Sequence, residues 1–108
     1  MQASLSPSIA TYFESANRGD NSLLKQCFVA DATVKDEGQI HRGHDAIVAW
    51  QTEAQEKAKY SVEPLDVSRD TGQVVVTAQV AGNFPGGPVK LEHVFVLADD
   101  KIECLEIR

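Results

Sequence analysis

Cysteine is scarce in this chain of 108 residues: Cys27 and Cys104 are the only two, and no Cys-x-x-Cys pair occurs. A disulfide framework and a thiolate metal site are therefore excluded as organising devices, and both thiols read as reduced residues within apolar patterns. His41-x-x-His44 has neither a thiol nor a dense carboxylate cluster beside it, so no metal is expected. Basic residues are also few, 10 Lys and Arg against 16 Asp and Glu, for a net charge of −6. No cluster of them occurs, which leaves a nucleic acid or an anionic membrane surface without its electrostatic footprint. Long apolar runs are missing too, so no spanning helix is expected. The N-terminus lacks the basic start and apolar stretch of a signal peptide, and a cytoplasmic location is the expectation. Glycine and proline number 7 and 4, and neither repeats nor low-complexity segments interrupt the chain. With 43% hydrophobic residues, the expectation is one domain over residues 1–108 with its own core.

What is present falls into two halves. Ser6-Pro7 opens a helix, since serine caps and proline fits the first turn. Ile9, Tyr12, Phe13 and Ala16 then make one apolar stripe, and Gly19 stops it. Asp20 caps a second short helix that buries Leu23, Leu24, Cys27 and Phe28. Residues 32–36 lean toward a strand, with residues 39–42 as a hairpin mate. A third helix runs from about His44 to Lys59, its stripe formed by Ile47, Trp50, Ala54 and Ala58. From Tyr60 the period becomes two. Strands are expected over residues 60–69, 73–82, 89–98 and 101–108, with Pro64 marking an edge or a bulge. Three helices followed by consecutive strands predict an α+β fold, a curved antiparallel sheet with the helices on its concave face.

Two strands are apolar on both faces. Residues 74–80 and 91–97 each alternate apolar with apolar, whereas a half-covered strand should show one polar side. A second copy of the sheet is the simplest cover, so a homodimer through the outer face is expected, with His93, Phe95 and Leu97 in the contact. On that assignment Glu92, Val94 and Val96 face inward.

Three polar residues fall where chemistry is feasible. Tyr12 sits on the buried stripe of the first helix. Asp36 precedes the Glu37-Gly38 turn. Glu92 lies mid-strand among apolar neighbours, which is costly unless it is paired or kept neutral. Pairing with Lys90 or Arg108 at an open end is the structural alternative. Trp50 reads as a core residue on the pocket side.

The stretches 12–20 (Tyr-Phe-Glu-Ser-Ala-Asn-Arg-Gly-Asp), 28–36 (Phe-Val-Ala-Asp-Ala-Thr-Val-Lys-Asp) and 43–50 (Gly-His-Asp-Ala-Ile-Val-Ala-Trp) carry a family resemblance. The chain resembles the nuclear transport factor two-like, or SnoaL-like, superfamily, and within it the ketosteroid isomerase branch. The resemblance implies a cone-shaped α+β fold and a small apolar pocket. It also implies a catalytic set of Tyr12, Asp36 and Glu92, with Phe28, Trp50, Val94 and Val96 lining the substrate. In that branch a carboxylate removes a proton next to a carbonyl, and a tyrosine and a protonated acid hold the enolate oxygen. The implied ligand is a small apolar carbonyl compound, and no cofactor is needed. Glu92 departs from the branch by one methylene, Glu37 stands where the steroid enzymes tend to have proline, and Gln51 where some have a supporting tyrosine. Two alternatives remain: a pocket that binds a ligand without chemistry, and a cyclase or hydratase using Asp36 with His41 or His44 and no second oxyanion donor.

Overall fold

A computed structural model describes residues 6–70, 72–82 and 87–108, with only the backbone of Ala58 and Asp70. The elements run α1 (Pro7–Arg18), α2 (Asn21–Cys27), β1 (Phe28–Asp36), β2 (Gln39–Arg42), α3 (His44–Ala58), β3 (Ser61–Asp70), β4 (Gln73–Ala81), β5 (Val89–Ala98) and β6 (Lys101–Ile107). Six strands form one curved sheet in the order β2-β1-β6-β5-β4-β3. The α+β architecture is as expected from the sequence. The sheet is mixed rather than wholly antiparallel, because β1 pairs with β6 in parallel. That pairing joins the two halves of the chain, and no local turn signal announces it.

Local chemistry accounts for most boundaries. α1 ends on Gly19 in the left-handed region, its N–H returning to the Ser15 carbonyl. The buried residues of α1 include Ile9, Tyr12, Phe13 and Ala16, the stripe read from the sequence. The Ser6 hydroxyl makes no capping bond, whereas Asp20 caps α2 by accepting from the Ser22 N–H at 3.1 Å. Phe28 opens β1 instead of closing α2, so β1 begins four residues earlier than the sequence suggested. The β1–β2 and β5–β6 connections each have two residues with positive φ, Glu37–Gly38 and Asp99–Asp100. This is the twist-matched turn for tight hairpins. Pro64 meets both of its expectations: β3 is an edge strand, and its register with β4 shifts between Pro64 and Asp66. Residues 83–86 of the expected 83–88 loop, and Thr71 of the turn before β4, lie outside the described residues.

The inward face of β5 is the reverse of the sequence assignment. Phe95 is 0% exposed in the core and His93 is buried, while the Glu92 side chain is 55% exposed. Leu97 packs against the core cluster. His93, Phe95 and Leu97 are therefore not on the outer face. Glu92, Val94 and Val96 occupy it, paired across the sheet with Thr77 and Arg108, Val75 and Glu106, and Cys104.

Side-chain amides fasten the helices to the sheet edge. Asn17 of α1 donates to the Val62 carbonyl at 2.8 Å and accepts the Val62 N–H at 2.7 Å. The side chain thus supplies the hydrogen bonds that an edge strand otherwise offers to another chain. Gln55 donates to the Ala16 and Tyr60 carbonyls, and Asn21 donates to Thr52 at 2.9 Å. Asn17→Ala should lower unfolding stability by ~1–3 kcal/mol, since it strands two backbone groups at once. Asn17→Asp, which keeps the acceptor, should fall between the two. Urea denaturation of the three proteins measures both effects.

Candidate active site

α1, β1, α3 and β5 enclose a cavity of about 470 Å³ lined by Tyr12, Asp36, Trp50, Tyr60, Leu91 and His93 among others. Each element contributes by its own period. On β1, Ala32, Val34 and Asp36 alternate inward, and the first two are fully buried. Asp36 is the last residue before the turn, and it is half-buried where it lines the cavity. On α3, Trp50, Glu53, Ala54 and Lys57 line the cavity at helical spacing. Glu53 and Lys57 form an ion pair of 2.8 Å at the rim.

Among the described residues, one hydrogen bond orients the Asp36 carboxylate. Trp50 Nε1–H donates to Asp36 Oδ2 at 3.0 Å. The His41 ring lies over Trp50, with centroids 6.1 Å apart. Tyr12 is held more rigidly. Its ring meets Phe28 at 6.1 Å and Phe95 at 5.7 Å, both edge to face, and His93 at 6.3 Å. Burial raises the Tyr12 phenol well above its ordinary value, with Tyr60 and the Asp36 charge adding to the effect. The hydroxyl therefore stays protonated and is available as a donor. It has no hydrogen-bond partner among the described residues, and no described buried polar atom is sealed off without one, so it reaches the cavity's open space.

Tyr60 was not singled out by the sequence as a site residue. Its hydroxyl donates to Gln51 Oε1 at 2.7 Å, and the Gln51 amide reaches Ser15 Oγ at 3.5 Å. Burial, helped by the Asp36 charge, pushes the Tyr60 phenol up to about 12. His93 was also missed. The parity that holds it, Val89-Leu91-His93-Phe95-Leu97, is the less charged of the two on β5, and that was the available signal. The other parity carries Lys90 and Glu92.

Of the expected catalytic set, Tyr12 and Asp36 share the cavity and Glu92 does not. The Glu92 carboxylate stands 3.8 Å from Arg108 Nε, the pairing offered as its structural alternative. Of the expected lining residues, Trp50 is in place. Phe28 is core beneath Tyr12, and Val94 and Val96 lie on the opposite face of the sheet. His44 is occupied elsewhere, its Nε2 donating to the Phe28 carbonyl at 3.0 Å. Among the described residues no group of three or more His, Cys, Asp or Glu is placed to hold a metal ion. No helix of the described residues is long and apolar enough to cross a membrane.

Similarity to known proteins covers nearly the whole chain. The SnoaL-like domain family matches residues 9–104. A Sinorhizobium meliloti protein named as a candidate polyketide cyclase is 38% identical over 96% of this chain and 95% of its own, with a TM-score of 0.92. A Catenulispora acidiphila protein with a ketosteroid isomerase-like fold, solved with trimethylamine, is 16% identical (97% and 86% covered, TM-score 0.84). SalBIII, an epoxide hydrolase/cyclase-like enzyme in pyran ring formation in salinomycin, is 22% identical (93% and 85% covered, TM-score 0.77). At those two identities the likeness is one of fold alone. No curated protein matches.

The raised Tyr60 phenol links the site to alkaline stability. The folded state keeps a proton that the unfolded chain loses near pH 10, so stability is intact below that value and falls as pH rises toward 12. Thermal midpoints between pH 8 and 11.5 should drop, and drop less in Tyr60→Phe.

Proposed function

The chain belongs to the SnoaL-like domain family, and on that footing we propose that it is an enzyme that forms an enolate from a small apolar carbonyl compound. The single observation that carries the proposal is the Asp36 carboxylate, oriented by Trp50, in one cavity with the Tyr12 hydroxyl, which has no partner among the described residues. Asp36 takes a proton from the carbon next to a substrate carbonyl. Tyr12 O–H donates to the carbonyl oxygen as negative charge develops there, in a wall of low polarity where such a bond is strong. The Trp50 N–H keeps one carboxylate oxygen engaged and the other free to face carbon.

The fate of the enolate distinguishes ring closure from double-bond migration. In ring closure, the enolate carbon bonds a second carbonyl carbon of the same molecule, and the proton on Asp36 passes to the new alkoxide. In migration, the proton returns to a more distant carbon. Steroid isomerisation as first expected called on Glu92 as a second donor, and that carboxylate lies outside the cavity. With Tyr12 as the donor to the enolate oxygen in either case, His41 beside Trp50 borders the same space and is placed to serve the alkoxide that ring closure forms. The 38% identical relative bears a cyclase name. Ring closure is the favoured outcome. Deuterium exchange at C2 of 1-indanone, followed by NMR, tests the shared first step. Asp36→Asn should slow exchange by ~10³-fold and Tyr12→Phe by ~100-fold. Native protein without exchange, or exchange indifferent to Asp36→Asn, overturns the proposal.

Assembly belongs to the same proposal: a homodimer through the outer sheet face. Its centre is Val75, Val96 and Cys104, half-exposed beside the already buried Val94, with Lys35, Glu92, Glu106 and Arg108 around it. Sedimentation equilibrium at micromolar protein should give twice 11.8 kDa. Val96→Glu should give the monomer with an unchanged circular dichroism spectrum. A monomeric native protein, or a dimer surviving that substitution, refutes the contact. Phe95, fully buried, is unsuitable for this test because a charge there breaks the core.

A further inference from the structure

The enolate reading uses Asp36, Tyr12 and Trp50 and leaves one buried polar side chain of the cavity without a task. His93 is 3% exposed, lines the cavity, and is wedged among Tyr12, Phe13 and Phe95. Its ring lies nearly parallel to Phe95, at 18°, so it has little freedom to turn. One nitrogen is committed: Nδ1 lies 3.3 Å from the Leu91 carbonyl oxygen. A carbonyl only accepts, so Nδ1 carries the proton. Burial holds the imidazole below its ordinary value, the Leu91 bond and the Asp36 charge acting against that. The ring is therefore neutral near pH 7, and Nε2 presents a bare lone pair. That nitrogen has no hydrogen-bond partner among the described residues and, like Tyr12 Oη, is not sealed from the cavity.

A bare lone pair in an apolar wall repels a carbonyl oxygen and rewards a hydrogen-bond donor. Beside it, Tyr12 offers the reverse, a donor that wants an acceptor. We infer that His93 Nε2 is a specificity-determining acceptor for a substrate hydroxyl or enol, so that the ligand is a hydroxy-carbonyl or enolised dicarbonyl compound with its carbonyl on Tyr12. The inference deepens the enolate reading and rests on it for the carbonyl position. His93 does not touch the reacting carbon. Its contribution is selection and placement, with the hydroxyl on His93 and the carbonyl on Tyr12 fixing two points of the substrate so that its α-hydrogen is presented to Asp36.

Three ketones that share the same α-carbon test this: 1-indanone, 3-hydroxy-1-indanone and 3-methoxy-1-indanone. Titration calorimetry on the native protein should show the hydroxy ketone bound ~10-fold or more tightly than the other two, the scale of one matched against one unmatched buried group. His93→Phe should erase that preference, so that the three ketones bind alike. His93→Gln, which retains an acceptor, should keep part of it. Tyr12→Phe should weaken all three ketones alike. Thermal midpoints of the variants identify any that fail to fold, and His93→Gln then carries the comparison alone. Equal binding of the three ketones by native protein, or a preference that survives His93→Phe, overturns the assignment. Deuterium exchange at C2 separates the two readings. Exchange without a hydroxyl preference defeats this inference and leaves the enolate reading standing. A hydroxyl preference without exchange does the opposite, and native protein that binds none of the three counts against both.

Discussion

The edge-to-face contact between Tyr12 and Phe95, 5.7 Å between centroids, governs the rest of the site. Phe95 is fully buried and Tyr12 nearly so, and two large aromatic rings of this kind contribute more to a core than any polar group nearby. Once Phe95 faces α1, strand geometry places Leu91 and His93 on the same side and Glu92 on the other. A shift of one residue would exchange every one of these positions. The identity of the cavity's polar groups is therefore a consequence of where one phenylalanine is buried. Glu92 is the clearest product of this rule: a carboxylate next in sequence to two cavity residues, it spends its charge near Arg108 on the far face.

The cavity itself reconciles two opposing demands. Its walls come from buried apolar elements, yet the proton transfer proposed for it requires charge and hydrogen-bonding groups inside. The chain meets this by placing Asp36 at a strand end beside a tight turn, where its carboxylate stays half-buried and needs only the Trp50 bond. Tyr12 and Tyr60 enter as neutral phenols, which burial keeps neutral. His93 enters as a neutral imidazole with one nitrogen spent on its own strand. Only Asp36 of these four brings a formal charge, and it is half-buried where Tyr12 and His93 are almost fully buried. That distribution keeps desolvation cost small while leaving donors and acceptors of both kinds in reach of a ligand.

Around this site, amides do much of the fastening. Asn17, Asn21 and Gln55 join α1, α2, α3 and the start of β3 through hydrogen bonds to backbone or hydroxyl groups. Gln51, almost fully buried, links Tyr60 to Ser15. Neutral amides suit these positions because each can both donate and accept without the desolvation cost of a charge. Their effect is to hold α3, and with it Trp50, at a fixed height above the sheet.

Much was legible in the residues themselves. Helical spacing on α1 gave the buried set Ile9, Tyr12, Phe13 and Ala16, Gly19 gave its end, and Pro64 marked the bulged edge strand. Tyr12 on the inner stripe and Asp36 before a two-residue turn were legible from local periodicity and turn chemistry, while their grouping into one candidate site came from the family resemblance. The parallel pairing of β1 with β6 was not legible, since it joins residues far apart with no turn between them. Nor was the orientation of β5. When both faces of a strand are largely apolar, alternation does not say which face turns inward, and the weak charge signal at Lys90 and Glu92 is outweighed by the valines that follow. Tyr12 and its neighbours decided it, by offering Phe95 a ring to pack against. Local sequence thus determined which residues each element could bury, and tertiary packing chose between the two faces of β5, because only the assembled helix and sheet made one face cheaper to bury than the other.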